Sequence, residues 1–189
     1  MTRMIVEPTE AAGWHRAVTE AAQQAACPLD PDRESYLVFL LMRYLRRRDI
    51  ARVVLALAYL RSQQIAGSAR REALQEVGDL CLLFTGLFPE QAARRRVRLS
   101  YFVDMGRSAY SGVADSLSPR AGALYADLAE TFVSLADVLG ALRQGEDRGQ
   151  ALGMLDAAER YLQTGSPVAR RQLAGYTDAT PVPASSRRH

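Results

Sequence analysis

An all-α domain is the fold this sequence predicts, and three observations lead to it. Apolar residues recur at three- and four-residue spacing along most of the chain, the period of a helix with one buried face. Three times an Asp or Ser stands directly before a proline, at Asp30-Pro31, Ser118-Pro119 and Ser166-Pro167. That pair joins a helix cap to a residue preset for the first helical position. No segment alternates apolar and polar residues convincingly as a strand does. Residues 97–103 come nearest, and Ser100 at their centre reads as a cap instead. A chain of 189 residues, 48% hydrophobic and 24% charged, suits one domain with a substantial core. The expectation is one irregular helical bundle of about seven to nine helices over residues 1–175, with a flexible tail over 176–189.

Thr9 opens a first helix of roughly 10–25, with Trp14, Val18, Ala21 and Ala25 as its apolar stripe; Cys27-Pro28 ends it. Asp30-Pro31 starts a second helix, with Asp32 and Glu34 placed where the helix dipole favours negative charge and Arg46, Arg47 and Arg48 where it favours positive. Residues 36–42 are apolar on every side, which predicts a helix at the centre of the bundle. A third helix runs from the Asp49 cap to Gln64 along Val53, Val54, Leu57 and Leu60, with Gly67 as its C-terminal stop. Ser68 begins a fourth, whose stripe is Leu74, Val77, Cys81 and Phe84. The break at residues 86–89 precedes a short helix to about Arg96. Ser100 caps the next, which carries Phe102, Met105, Ala109 and Val113. Ser118-Pro119 starts one long helix to about Arg143, with the stripe Leu124, Leu128, Phe132, Leu135, Leu139 and Leu142 expected to face residues 36–42. A helix of roughly 150–163 gathers Leu152, Leu155, Ala158 and Leu162 on one face, and Ser166-Pro167 opens a last one to about Ala174.

Composition narrows the function classes. All 24 basic residues are Arg, there is no Asn, and Ile occurs three times. Codons for Lys, Asn and Ile are AT-rich, so the pattern points to a GC-rich, bacterial genome and reduces the meaning of any arginine cluster. The first 99 residues hold 15 Arg against 11 acids and the remainder 9 against 10, an asymmetry compatible with nucleic acid but not demanding it. Two cysteines make neither a disulfide framework nor a zinc set. The N-terminal residues lack a signal-peptide core, and no apolar run is long enough to cross a bilayer. A cytoplasmic protein with no membrane partner is expected.

Residues 76–110 are the stretch most unlike plain packing. Asp79 and Asp104 each sit in an apolar run interrupted by glycine, with Glu76, Tyr101 and Tyr110 close in sequence. One reading makes these five residues a polar ligand pocket between two helices, with the aspartates facing each other across a cavity. The other points each Asp out of the stripe or ties it to an Arg or a backbone N–H. Gly106, Ala109 and Gly112 allow a close helix approach, and Phe88 plugs the core before Pro89. A second candidate surface is the arginine set Arg46, Arg47, Arg48, Arg94, Arg95 and Arg96, able to track a phosphate backbone or to stand as a solvated face. Nucleotide loops are absent, and with two His in the chain, His15 and His189, neither a metal set, a haem ligand pair nor a His-activated nucleophile assembles. No catalytic residue, metal or cofactor is therefore expected. The expectation is a non-enzymatic interaction or regulatory protein whose partner is another protein or a second copy. The alternatives are a small-molecule binder or enzyme at residues 76–110, and a nucleic-acid binder through the arginine-rich first half.

Overall fold

The computed structural model describes residues 10–44, 55–94, 97–146 and 153–177. They form ten helices, and no strand occurs among them. The order is α1 (Glu10–Gln24), α2 (Pro31–Tyr44), α3 (Leu55–Ser62), α4 (Gly67–Gly86), α5 (Pro89–Arg94), α6 (Leu99–Asp115), α7 (Pro119–Glu130), α8 (Phe132–Glu146), α9 (Met154–Thr164) and α10 (Pro167–Ala174).

Local signals set several boundaries. The Asp30 carboxylate accepts the backbone N–H groups of Asp32 at 3.0 Å and Arg33 at 2.9 Å, so two orphan donors of α2 are satisfied as the sequence predicts. Arg33 folds back onto Asp30 at 2.6 Å and also reaches Asp127 of α7 at 3.3 Å. Ser166 accepts the Ala169 N–H at 3.0 Å at the start of α10. Pro89 begins α5, and Phe88 packs against the core.

Other boundaries are imposed from a distance. The long helix expected over 119–143 is two helices, broken at Thr131. Thr131 donates its hydroxyl to the Asp127 carbonyl at 2.7 Å, a local bond that bends helices. Arg107 of α6 then reaches across: its Nε donates to the Ala129 carbonyl at 3.0 Å and its Nη2 to the Glu130 carbonyl at 3.1 Å. A cation at a helix C-terminus meets the negative end of the dipole while satisfying carbonyls that lost their helical partners. Nor does Ser100 cap α6. The Leu99 N–H donates instead to Gln163 Oε1 of α9 at 2.7 Å. Gly67 does not stop α3, which ends at Ser62; it stands at the start of α4 with φ +66°.

The centre of the bundle is α4, not α2. Every residue from 77 to 86 is buried, and α3, α5, α6 and α8 pack around it. On α2, Leu37, Val38, Leu40, Leu41 and Tyr44 are buried but Phe39 is 67% exposed, so the apolar run over 36–42 has a solvent side. The stripe residues Leu128, Phe132, Leu135 and Leu139 join the common core, with α8 lying on α1 and α4. Arg46, Arg47, Arg48, Arg95, Arg96 and residues 178–189 lie outside the described residues. The first residues of the predicted tail continue the α10 terminus, where the Tyr176 and Thr177 N–H groups both donate to the Leu173 carbonyl.

Arg107→Ala leaves the two carbonyls at the break without their donors. It should lower the unfolding free energy by about 1–2 kcal/mol, read as a lower urea midpoint at unchanged slope.

Candidate functional site

The one acid of residues 76–110 that goes inside is Asp79, 1% exposed on α4. Its neighbour Gly78 makes the arrangement possible. A Cβ at Gly78 would stand 2.5 Å from Cε1 of Tyr110, so the absence of a side chain lets that ring pack directly against α4. From there the buried Tyr110 hydroxyl donates to Asp79 Oδ1 at 2.9 Å. Tyr36 of α2 donates to the same oxygen at 2.5 Å, and the two hydroxyls are 3.5 Å apart. On the other oxygen, Arg43 Nη1 lies 3.7 Å away, its guanidinium 5.1 Å above the ring of Tyr44. Tyr125 of α7 completes the group: the Tyr36, Tyr110 and Tyr125 rings stand 6.0–6.2 Å apart, with both Tyr36 contacts edge to face. The same device recurs one turn along α6. A Cβ at Gly106 would stand 2.4 Å from the Phe132 ring, so this glycine serves close packing, as expected of it.

Burial pushes the Asp79 carboxyl up to about 6, against the pull of the Tyr36 and Tyr110 hydrogen bonds and of Arg43. Both tyrosine hydroxyls are pushed well above their ordinary range, first by burial and then by the Asp79 charge. The cluster therefore holds one proton-binding carboxyl between two hydroxyls that stay protonated, with α2, α4 and α6 joined at a single point.

Asp104 is exposed, so it does not face Asp79 across a cavity. Tyr101 is 42% exposed, and Glu76 is half-buried on α4. Of the five residues expected to converge, Asp79 and Tyr110 meet; Tyr36, from α2, is the partner that spacing within 76–110 had no means to supply. Arg94 is exposed in the last turn of α5. A mainly apolar cleft of about 290 Å³ lies elsewhere, at the turn from α1 to α2, bordered by Thr19, Ala22, Cys27, Leu29 and Glu34. The Thr19 hydroxyl donates to Glu34 at 2.5 Å there, and burial raises the Cys27 thiol above its ordinary value. Among the described residues no three His, Cys, Asp or Glu side chains gather as a metal would require, and no helix is long and apolar enough to cross a membrane.

A second buried carboxylate, Asp137 on α8, also sits within an apolar run, a signature equal to that of Asp79 that the Leu135–Leu139 stripe masks. It is 3% exposed. Ser166 donates to it at 2.7 Å, Arg160 of α9 lies 3.3 Å away, and the Val168 N–H points to it at 3.4 Å. Asp137 thus anchors both α9 and the start of α10.

That anchor turns α9 inside out. Its inward residues are Ala157, Arg160 and Gln163, the last two held by polar bonds, to Asp137 and to the Leu99 N–H. Of the stripe expected on one face, Leu155 is 81% exposed and Leu162 42%, Ala158 is half-buried, and Leu152 lies outside the described residues; Met154 beside them is 48% exposed. On α3, Leu57 and Leu60 are likewise 50% and 58% exposed. An exposed Leu is ordinary when single; two on one face of a polar-anchored helix form a surface.

No family model, curated protein or solved structure matches the chain.

The raised Asp79 value fixes a pH dependence. Between about pH 4 and 6 the folded protein holds a proton that the unfolded chain has released, so stability falls as pH rises through this window, by about 3 kcal/mol in total. Asp79→Asn keeps the acceptor for both tyrosines and should flatten that slope. Asp79→Ala strands two hydroxyls and should cost about 2–4 kcal/mol at pH 5. Denaturant titrations of the three proteins at pH 4, 5, 6 and 7.5 check this; an unchanged slope in Asp79→Asn contradicts it.

Proposed function

We propose that the protein is a non-enzymatic, helical protein-binding domain that docks through the outward face of α9. The observation that carries the proposal is the orientation of that helix. A helix whose role is confined to folding turns its leucines in and its charged residues out. Here Arg160 and Gln163 are turned in, and Leu155 and Leu162 are left in water. Covering a leucine side chain stabilises a complex by about 1.5–3 kcal/mol for full burial, so this face supplies binding energy that folding has left unused. Flanking helices keep it in place: α10 packs along α9, and Asp137 holds both to α8.

The Asp79 cluster supports the same view of the rest of the molecule. Its carboxylate is already met by Tyr36 and Tyr110 on one oxygen and approached by Arg43 on the other. Such a group fixes helices and is poorly placed to receive a substrate. The proposal assigns residues 76–110 to the scaffold and α9 to recognition.

The double variant Leu155→Asp/Leu162→Asp should keep the wild-type unfolding free energy within about 1 kcal/mol, the cost of two substitutions of lower helix propensity, because neither side chain belongs to the core. It should also bind less of a hydrophobic-surface dye and lose any complex that native mass spectrometry detects with the wild-type protein. Strong destabilisation by the pair would mean that the face is needed for folding and would overturn the proposal.

A further inference from the structure

We infer that the partner presents a basic amphipathic helix to α9, and that a second copy of this chain is not the occupant. The inference rests on the proposed role of the α9 face and adds the chemistry of what covers it.

One feature of the face argues against self-association, its charge. Eleven residues make a helix about 16 Å long, a length that one partner helix can cover. Asp156 and Glu159 are both exposed, while Arg160, the one cation of α9, is turned inward to Asp137 at 3.3 Å. Leu155 and Leu162 are seven residues apart, so an antiparallel pair centred on them brings Glu159 of each copy toward the middle of the contact, and a parallel pair sets Glu159 beside Glu159. Either register places like charges together at an apolar seam, which opposes association. The exposed Arg98 adjoins only the Gln163 end, next to the Leu99 N–H that Gln163 holds.

The same features describe a complementary ligand. Two leucines at heptad spacing accept the apolar seam of a partner helix. Carboxylates at the first and middle turns select Arg or Lys along its flank. An anionic membrane surface is disfavoured by those same carboxylates.

The test uses the full chain and two synthetic peptides of about 18 residues, long enough to form helix on contact. They share a Leu seam at heptad spacing; one is flanked by Lys and the other by Glu. Fluorescence anisotropy should show the Lys peptide binding at least about tenfold more tightly, with affinity falling as salt rises. Asp156→Asn/Glu159→Gln should remove the preference between peptides, and Leu155→Ser should abolish binding of the Lys peptide while circular dichroism stays unchanged. Equal binding of the two peptides, both lost in Leu155→Ser, would overturn the basic-helix inference and leave the α9 face standing. Binding untouched by Leu155→Ser, or no binding of either peptide, would count against the face as well. A concentration-dependent dimer lost in Leu155→Ser would assign it to a second copy, and Leu155-dependent capture on phosphatidylserine vesicles would assign it to a membrane; each contradicts the inference.

Discussion

The burial of Asp79 is the constraint on which the rest of the fold depends. An ionised carboxylate placed inside a helical bundle is costly unless hydrogen bonds and charges meet it. Two tyrosine hydroxyls and one guanidinium do so here, and each comes from a definite place: Tyr36 and Arg43 from α2, Tyr110 from α6. The requirement propagates. Tyr110 reaches the carboxylate because Gly78 leaves room for its ring. The α6 backbone closes on Phe132 because Gly106 leaves room there. With α6 and α8 packed around it, α4 is buried through residues 77–86. Glycine and aspartate in an apolar run, which resemble an active site in sequence, are the means by which tyrosine hydroxyls are brought to the half of α4 that has no solvent side.

Asp137 plays the matching part on α8, and the two clusters differ in consequence. Asp79 joins helices whose apolar faces already meet. Asp137 holds α9 and α10 by polar bonds through Arg160 and Ser166, which frees the apolar face of α9 from a structural duty. A helix fixed by its polar residues can present its leucines outward without drifting into the core. The proposed recognition surface is in this sense a product of the buried carboxylate behind it.

What the sequence made legible is what chemistry within a few residues decides. Asp30 and Ser166 cap the helices they precede, Pro89 starts α5, and helical spacing locates the elements. What escaped it was decided across long separations. Thr131 lies in a continuous leucine stripe; the break there is completed by Arg107, which satisfies two carbonyls from another helix. Ser100 is a good cap by type, yet Gln163 takes the Leu99 N–H. Periodicity groups Leu155 with Leu162 but carries no sign for which side of the helix the core is on. Asp104 and Asp79 look alike in sequence, and only the rotation of each one's own helix, α6 and α4, against the core puts one in water and the other inside.

The carboxyl of Asp79 reports on the central constraint directly. NMR titration of protein labelled with ¹³C at the aspartate carboxyls should show one resonance with a midpoint of about 6 that disappears in Asp79→Asn, while the ring signals of Tyr36 and Tyr110 shift with the same midpoint. A protein in which no aspartate carboxyl titrates with a midpoint near 6, or in which the Tyr36 and Tyr110 ring signals do not follow it, would contradict the arrangement of α2, α4 and α6 described above.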